Sequence, residues 1–181
     1  MASVRRKHIR TVVENLLKVH KVRSMPVPVE DIARALNIEV IRKEAPDDLS
    51  GFLLRDVKRK KAVIGVNPGH HPKRQRFTIA HELAHFLLHE GEQVHLDRGN
   101  FGIRVKLRSK KSSEGTDVDE KEANLFAAEL LMPTGFLEKD LADKDAFPLL
   151  DEEAIEALAD KYEVSAQALT FRLAYLGHIT L

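Results

Sequence analysis

Hydrophobic positions along this chain follow two rhythms that alternate in blocks. From Arg5 to about His20, the residues Ile9, Val12, Val13, Leu16, Leu17 and Val19 recur at mostly helical intervals, which predicts an amphipathic helix with a basic, solvated start. Pro26 and Pro28 interrupt the chain. Val29 to Leu36 then turns Ile32, Ala33 and Leu36 to one side, as a short helix stopping at Asn37. Three runs with strand character follow, Ile38 to Ile41, Gly51 to Leu54 and Ala62 to Val66, and predict a small, mainly antiparallel, three-stranded sheet. The charged stretch Arg55-Asp-Val-Lys-Arg-Lys-Lys between the last two is expected as a hairpin turn exposed to water.

After Asn67-Pro-Gly the rhythm is helical through His89 and closes at Gly91, with Leu83, Phe86 and Leu87 as the apolar face. From about Glu92 to Asp117 no period is sustained, and Gly99, Gly102, Gly115 and several serines predict a long mobile loop. Lys106, Arg108, Lys110 and Lys111 would make that loop a lid or a docking strip for an acidic partner. A helix resumes near Val118, runs to Met132 and breaks at Pro133, which can open another short helix as its first residue. Asp151 caps a helix to about Tyr162, and Ser165 caps another that ends at Gly177. The expected fold class is α+β and mostly helical: one domain over 1–181, with a core at 25–145 and a C-terminal helical hairpin at 150–178.

Length and composition narrow the picture without redirecting it. A chain of 181 residues, 43% hydrophobic and 31% charged, can bury one sizeable core. Its net charge of +1 supplies no global field towards nucleic acid or anionic lipid. The absence of cysteine excludes disulfides, thiolate zinc fingers and a cysteine nucleophile. The N-terminal stretch lacks a secretory core and no apolar run reaches membrane-spanning length, so a cytoplasmic protein with no membrane partner is expected.

The chemistry concentrates in His81-Glu82-Leu83-Ala84-His85. Two imidazoles four residues apart share a helix face and can close on one metal ion, and the intervening carboxylate of Glu82 can act as general base. A catalytic zinc takes three protein ligands and keeps a fourth position open. His89 sits about 12 Å along a straight helix from His81 and cannot join the same tetrahedron, so it is expected to act behind the ligands or at the surface. The longer metzincin pattern fails because Leu88 stands where glycine is required and Gly91 where histidine is. A carboxylate from another helix is left. Glu122 and Glu129 share one face of a largely apolar helix, and Asp117, Asp119 and Glu120 stay open, since spacing alone does not choose among them.

These residues carry a resemblance to the ImmA/IrrE family of metallo-endopeptidases. It runs from about Pro26 through Ser50-Gly-Phe-Leu and Ala62-Val-Ile-Gly-Val-Asn to Arg76-Phe-Thr-Ile-Ala-His-Glu-Leu-Ala-His-Phe-Leu-Leu-His. It resumes at Glu122-Ala-Asn-Leu-Phe-Ala-Ala-Glu-Leu-Leu-Met-Pro and closes in Val164-Ser-Ala-Gln-Ala-Leu-Thr-Phe-Arg-Leu-Ala-Tyr-Leu-Gly. The resemblance implies a zincin-like fold, Glu122 as third ligand beside His81 and His85, and a helix-turn-helix repressor as substrate, whose cleavage derepresses a mobile-element or stress regulon. Zinc is the expected ion, with manganese compatible with the same donors. The chain departs from larger relatives in its long basic loop between His89 and Glu122, and it is expected to lack separate DNA-binding and sensor domains.

Two other functions compete. A non-catalytic, metal-containing regulator could bind a repressor or antitoxin, but a structural metal site has no need of Glu82. The C-terminal helix pair has the length of a DNA-binding helix-turn-helix. Yet from Ser165 to Gly177 it offers Arg172 as its one cation, too little for phosphate contacts, so a structural hairpin is expected.

Overall fold

The structure, a computed structural model, describes residues 3–56, 61–89, 94–97, 110–142 and 151–180, with only the backbone of 110–116. The first rhythm becomes α1 (Arg6–Val19), which buries Ile9, Val13, Leu16 and Leu17, and α2 (Val29–Ala35), which buries Val29, Ile32 and Ala33. Asn37, the expected stop, adopts φ 61°, a left-handed conformation that asparagine tolerates better than most side chains.

The sheet differs from expectation in number and direction. It contains β1 (Ile38–Arg42), β2 (Gly51–Asp56), β3 (Lys61–Val66) and β4 (Val94–Asp97), in the order β1-β3-β2-β4. A three-stranded sheet is thereby corrected to a four-stranded mixed one. β3 pairs antiparallel with β2, whereas β1 pairs parallel with β3. The cause is the tight β2–β3 pairing, closed by Asp56 opposite Lys61, which inserts β3 between β2 and β1. β3 is the most continuously apolar of the strands, as a central strand flanked on both sides should be. Gly65 is required there, because a Cβ would lie 2.2 Å from the Phe52 ring. Residues 57–60 of the charged connector lie outside the described residues.

The fourth strand comes from the segment expected to be loop throughout. Val94–Asp97 pairs antiparallel with β2, placing His95 opposite Leu53. The following helix also begins earlier than expected. α4 spans Lys110–Leu131, so the loop expectation for 92–117 is corrected at both ends. Lys106 and Arg108 of the docking strip lie outside the described residues, and of Lys110 and Lys111 only the backbone is described.

α3 (Pro72–Leu88) opens with proline at its first turn and His71 as N-cap, whose Nδ1 accepts from the Lys73 N–H at 3.2 Å. It lies against α4, β2 and β3, so that Thr78 through His85 are buried. α5 (Thr134–Asp140) starts after Pro133, which serves as N-cap rather than as first helical residue. α6 (Glu152–Tyr162) and α7 (Ala166–Tyr175) form the C-terminal pair, capped as expected by Asp151 and Ser165. Arg172 of α7 is buried against Glu129 of α4 and donates to the Met132 carbonyl at 3.2 Å, so the cation weighed for DNA contact faces the interior. Among the described residues no helix is long and apolar enough to cross a membrane.

Candidate metal centre

α3 turns His81, Glu82 and His85 inward, and four-residue spacing stacks the two imidazoles on one face. Their Nε2 atoms stand 3.1 Å apart. Glu120 of α4 completes a triangle, with Oε2 3.4 Å from His81 Nε2 and Oε1 3.4 Å from His85 Nε2. Two ligands about 2.05 Å from a tetrahedral zinc would be about 3.3 Å apart, so these edges have the size of a three-ligand zinc face.

Glu122, implied as third ligand by the resemblance, is not brought to this pair. Residues two apart on a helix point about 200° away from each other, so Glu120 and Glu122 serve opposite sides of α4. Glu122 accepts the Arg5 backbone N–H at 2.7 Å, and the Arg5 guanidinium at 3.0 Å from Oε1 and at 3.1 and 2.5 Å from Oε2. Glu129 is likewise buried and paired, with Arg172 and with Thr134. Both inward carboxylates of α4 thus have arginine partners, and the half-exposed Glu120 faces the imidazoles. Asn124, one turn beyond Glu120, reaches the same ring, with Oδ1 3.1 Å from His81 Nδ1. An amide oxygen only accepts, so His81 carries its proton on Nδ1 and directs the Nε2 lone pair into the triangle.

His95 of β4 occupies the centre. Its ring stacks on His85 at 3.7 Å; Nδ1 lies 3.1 Å from Glu82 Oε2, and Nε2 lies 3.0 Å from Glu120 Oε1. Burial would lower its pKa, but hydrogen bonds to Glu120 and then Glu82 raise it to about 10, making it an imidazolium at neutral pH. Burial lowers His85 to about 3; the Glu120 carboxylate opposes this, and the nearby His95 and His81 rings reinforce it. Burial alone would raise the Glu120 carboxyl. Its contacts with the His81, His85 and His95 rings outweigh it and hold the group far below the usual carboxylate range. An ionised carboxylate beside a neutral imidazole and the His81 lone pair is a donor set that fits zinc.

Arg55, expected in a solvated connector, instead lies in β2 and reaches the C-terminal end of α3. Its guanidinium donates to the His85 carbonyl and, at 2.9 Å, to the His89 carbonyl. His89 leaves the helix there with extended backbone, φ −120° and ψ 121°, and its ring turns back towards His85. No periodicity argument from sequence exposes such a contact, because it depends on where β2 passes. Around the start of α3, His70 reaches the Asp47 carbonyl at 3.1 Å, His71 caps the helix, and Arg74 donates to Ser50 Oγ at 2.9 Å. Arg76 is held by the Val27 carbonyl and Glu163.

A helix-borne His-Glu-x-x-His pair facing a carboxylate from a neighbouring helix, beside a small mixed sheet, is an arrangement of the metallopeptidase class. The chain belongs to the ImmA/IrrE family: a peptidase-family model, the IrrE N-terminal-like domain, matches residues 33–174. It is similar to immunity region protein 2 of Bacillus phage phi105, at 31% identity over 125 residues, covering 69% of this chain and 68% of that protein. It is also similar to Metallopeptidase ImmA of Bacillus subtilis (strain 168), at 25% identity over 171 residues, covering 94% and 87% respectively. Among solved structures it matches a Mycobacterium tuberculosis transcriptional regulator, with a TM-score of 0.60 and 16% identity. That match covers 93% of this chain and 46% of the regulator, so the chain spans about half of that protein, and the likeness is one of fold.

Proposed function

We propose that this chain is a zinc-dependent endopeptidase with a zincin-like active site, acting in the cytoplasm on a helix-turn-helix repressor. The observation that carries this reading is the convergence of His81 Nε2, His85 Nε2 and the Glu120 carboxylate at 3.1–3.4 Å, with Glu82 alongside. In this reading His81, His85 and Glu120 hold the ion, and Glu120 takes the role that the resemblance implied for Glu122. Manganese suits the same donors, but two imidazoles with one carboxylate favour zinc. The immunity-region name of the phage relative agrees with a repressor as substrate.

Zinc, when bound, polarises the scissile carbonyl and makes water acidic near neutral pH. Glu82 accepts the proton of the attacking water on its carboxylate and delivers it to the nitrogen of the departing amine. The His95 Nδ1 lies 3.1 Å from Glu82 Oε2 and steadies that carboxylate.

Elemental analysis of purified wild type, His85→Ala, Glu120→Gln and Glu122→Gln tests the ligand set. The expected result is about one zinc per chain in wild type, loss in His85→Ala and Glu120→Gln, and zinc retained at weakened affinity in Glu122→Gln. Retention of zinc by Glu120→Gln, with loss in Glu122→Gln, would return the third ligand to Glu122. Glu82→Gln should keep zinc and lose cleavage of repressors from the source genome. Equal cleavage by that variant would remove Glu82 from the catalytic role and favour the non-catalytic regulator.

A further inference from the structure

Behind the triangle lies a second cluster of potential ligands, His89, Asp119 and Glu122. It is not a second cation site. Both Glu122 oxygens already accept from the Arg5 guanidinium at 2.5–3.1 Å, and a metal would have to displace that charge. Asp119 Oδ1 is 3.6 Å from His89 Nε2, outside hydrogen-bond reach. The cluster instead forms a line: Arg5 to Glu122, Glu122 Oε2 to His89 Nε2 at 3.3 Å, and His89 Nδ1 to His85 Nδ1 at 3.1 Å.

The proton positions along that line follow from its ends. A carboxylate gripped by a guanidinium only accepts, so His89 carries its proton on Nε2. A single proton lies between the two Nδ1 atoms 3.1 Å apart, and for His85 to offer Nε2 to an ion that proton must belong to His85 Nδ1. That leaves His85 Nε2 as the lone pair facing His81 and Glu120. We propose that Arg5, Glu122 and His89 act as a positioning chain that fixes the tautomer and orientation of His85, so that α1 is part of the metal centre. This rests on the metal-centre reading above. The fold supports the arrangement at two further points. Arg5 Nη2 also donates to the Leu88 carbonyl at 3.3 Å, tying the start of α1 to the end of α3. Arg55 holds the His89 carbonyl while the ring turns back. An ordinary helical His89 would lie on the row above His85 with no such anchor.

Two measurements test the chain. Long-range proton–nitrogen NMR of the metal-free wild type at neutral pH reads the tautomers directly. His85 is expected protonated on Nδ1 and His89 on Nε2; a proton on His89 Nδ1 overturns the proposal. Zinc affinity is then measured by competition with a chromophoric chelator, with circular dichroism to confirm folding. His89→Ala and Arg5→Ala should each weaken zinc by about 10–100-fold, as loss of an outer partner typically does. The double variant should be no weaker than His89→Ala, because both act through one line. Arg5→Lys keeps the charge without the fork and should fall between wild type and Arg5→Ala. Unchanged affinity in His89→Ala, or additive losses in the double variant, would overturn the chain. Glu120→Gln separates the two levels of the argument. If it loses zinc while His89→Ala does not, only the positioning chain falls; if wild type and Glu120→Gln bind equally poorly, the metal centre falls with it.

Discussion

Replacing Arg172 by methionine removes one half of a buried ion pair while keeping much of the side-chain volume. Arg172 and Glu129 have side-chain exposures of 1% and 6%, so neither charge has water to fall back on. Arg172 also donates to the Met132 carbonyl at 3.2 Å and to Thr134 Oγ1 at 3.0 Å, and these contacts go with it. Stranding one partner of such a pair costs 3–5 kcal/mol in general. Here Glu129 keeps the Thr134 N–H at 3.1 Å and its hydroxyl at 2.9 Å, which points to the lower end, about 3 kcal/mol. With a urea m-value of about 2 kcal/mol/M, the unfolding midpoint should drop by about 1.5 M. Arg172→Met combined with Glu129→Gln removes both charges and keeps acceptors for Thr134. It should recover to within about 1 kcal/mol of wild type, since neutral replacements of buried pairs are often tolerated. Urea titration of the metal-free proteins, followed by circular dichroism, gives the comparison. A loss under about 1 kcal/mol in the single variant, or a double variant as weak as the single, would refute the account of an uncompensated buried carboxylate.

Two further outcomes follow from the packing and electrostatics. Arg5 holds the Glu122 carboxyl at about 2 against an ordinary 4.5, so its contribution is complete above about pH 4.5 and is lost as pH falls towards 2. Glu122→Gln should therefore flatten the acid side of the stability profile between those values, and an unaltered profile from acid titration by circular dichroism would count against the pairing. Gly65→Ala would set a Cβ 2.2 Å from the Phe52 ring and should cost about 1–3 kcal/mol, read as a lower thermal midpoint. Phe52→Leu in the same chain should relieve part of that cost, and a neutral Gly65→Ala would show that the ring moves freely.

The parts of this fold legible in the sequence are those set by neighbours along the chain. Helical spacing exposed α1 and α3, Asp151 and Ser165 announced the starts of α6 and α7, and Asn37 marked the left-handed stop after α2. β4 was not legible because four residues, Val-His-Leu-Asp, become a strand only by pairing with β2, far away along the chain. The same limit hid Arg55, whose partners are carbonyls at the end of α3. In the site, the His81–His85 pair followed from spacing within one helix. The choice among carboxylates did not. Spacing leaves Glu122, Glu129, Asp117, Asp119 and Glu120 open and the resemblance implies Glu122, yet Arg5 before α1 and Arg172 of α7 satisfy the inward Glu122 and Glu129. Glu120, with Asn124 one turn later, is the carboxylate that the fold sets against His81, a placement that spacing within α4 does not reveal.

The two arginine pairs on α4 also have a mechanical consequence. Arg5 grips Glu122 and Arg172 grips Glu129 two turns further on, on a different face of α4 from Glu120, so they set the angle at which α4 stands about its own axis. A helix with side chains has a radius of about 5–6 Å, and turning it by about 10° carries a surface atom about 1 Å. Displacements of that size can cost a catalytic centre about a hundredfold in rate. The inward charges of α4 therefore act as two pins through a shaft, and its opposite face can present Glu120 and Asn124 at a constant aim.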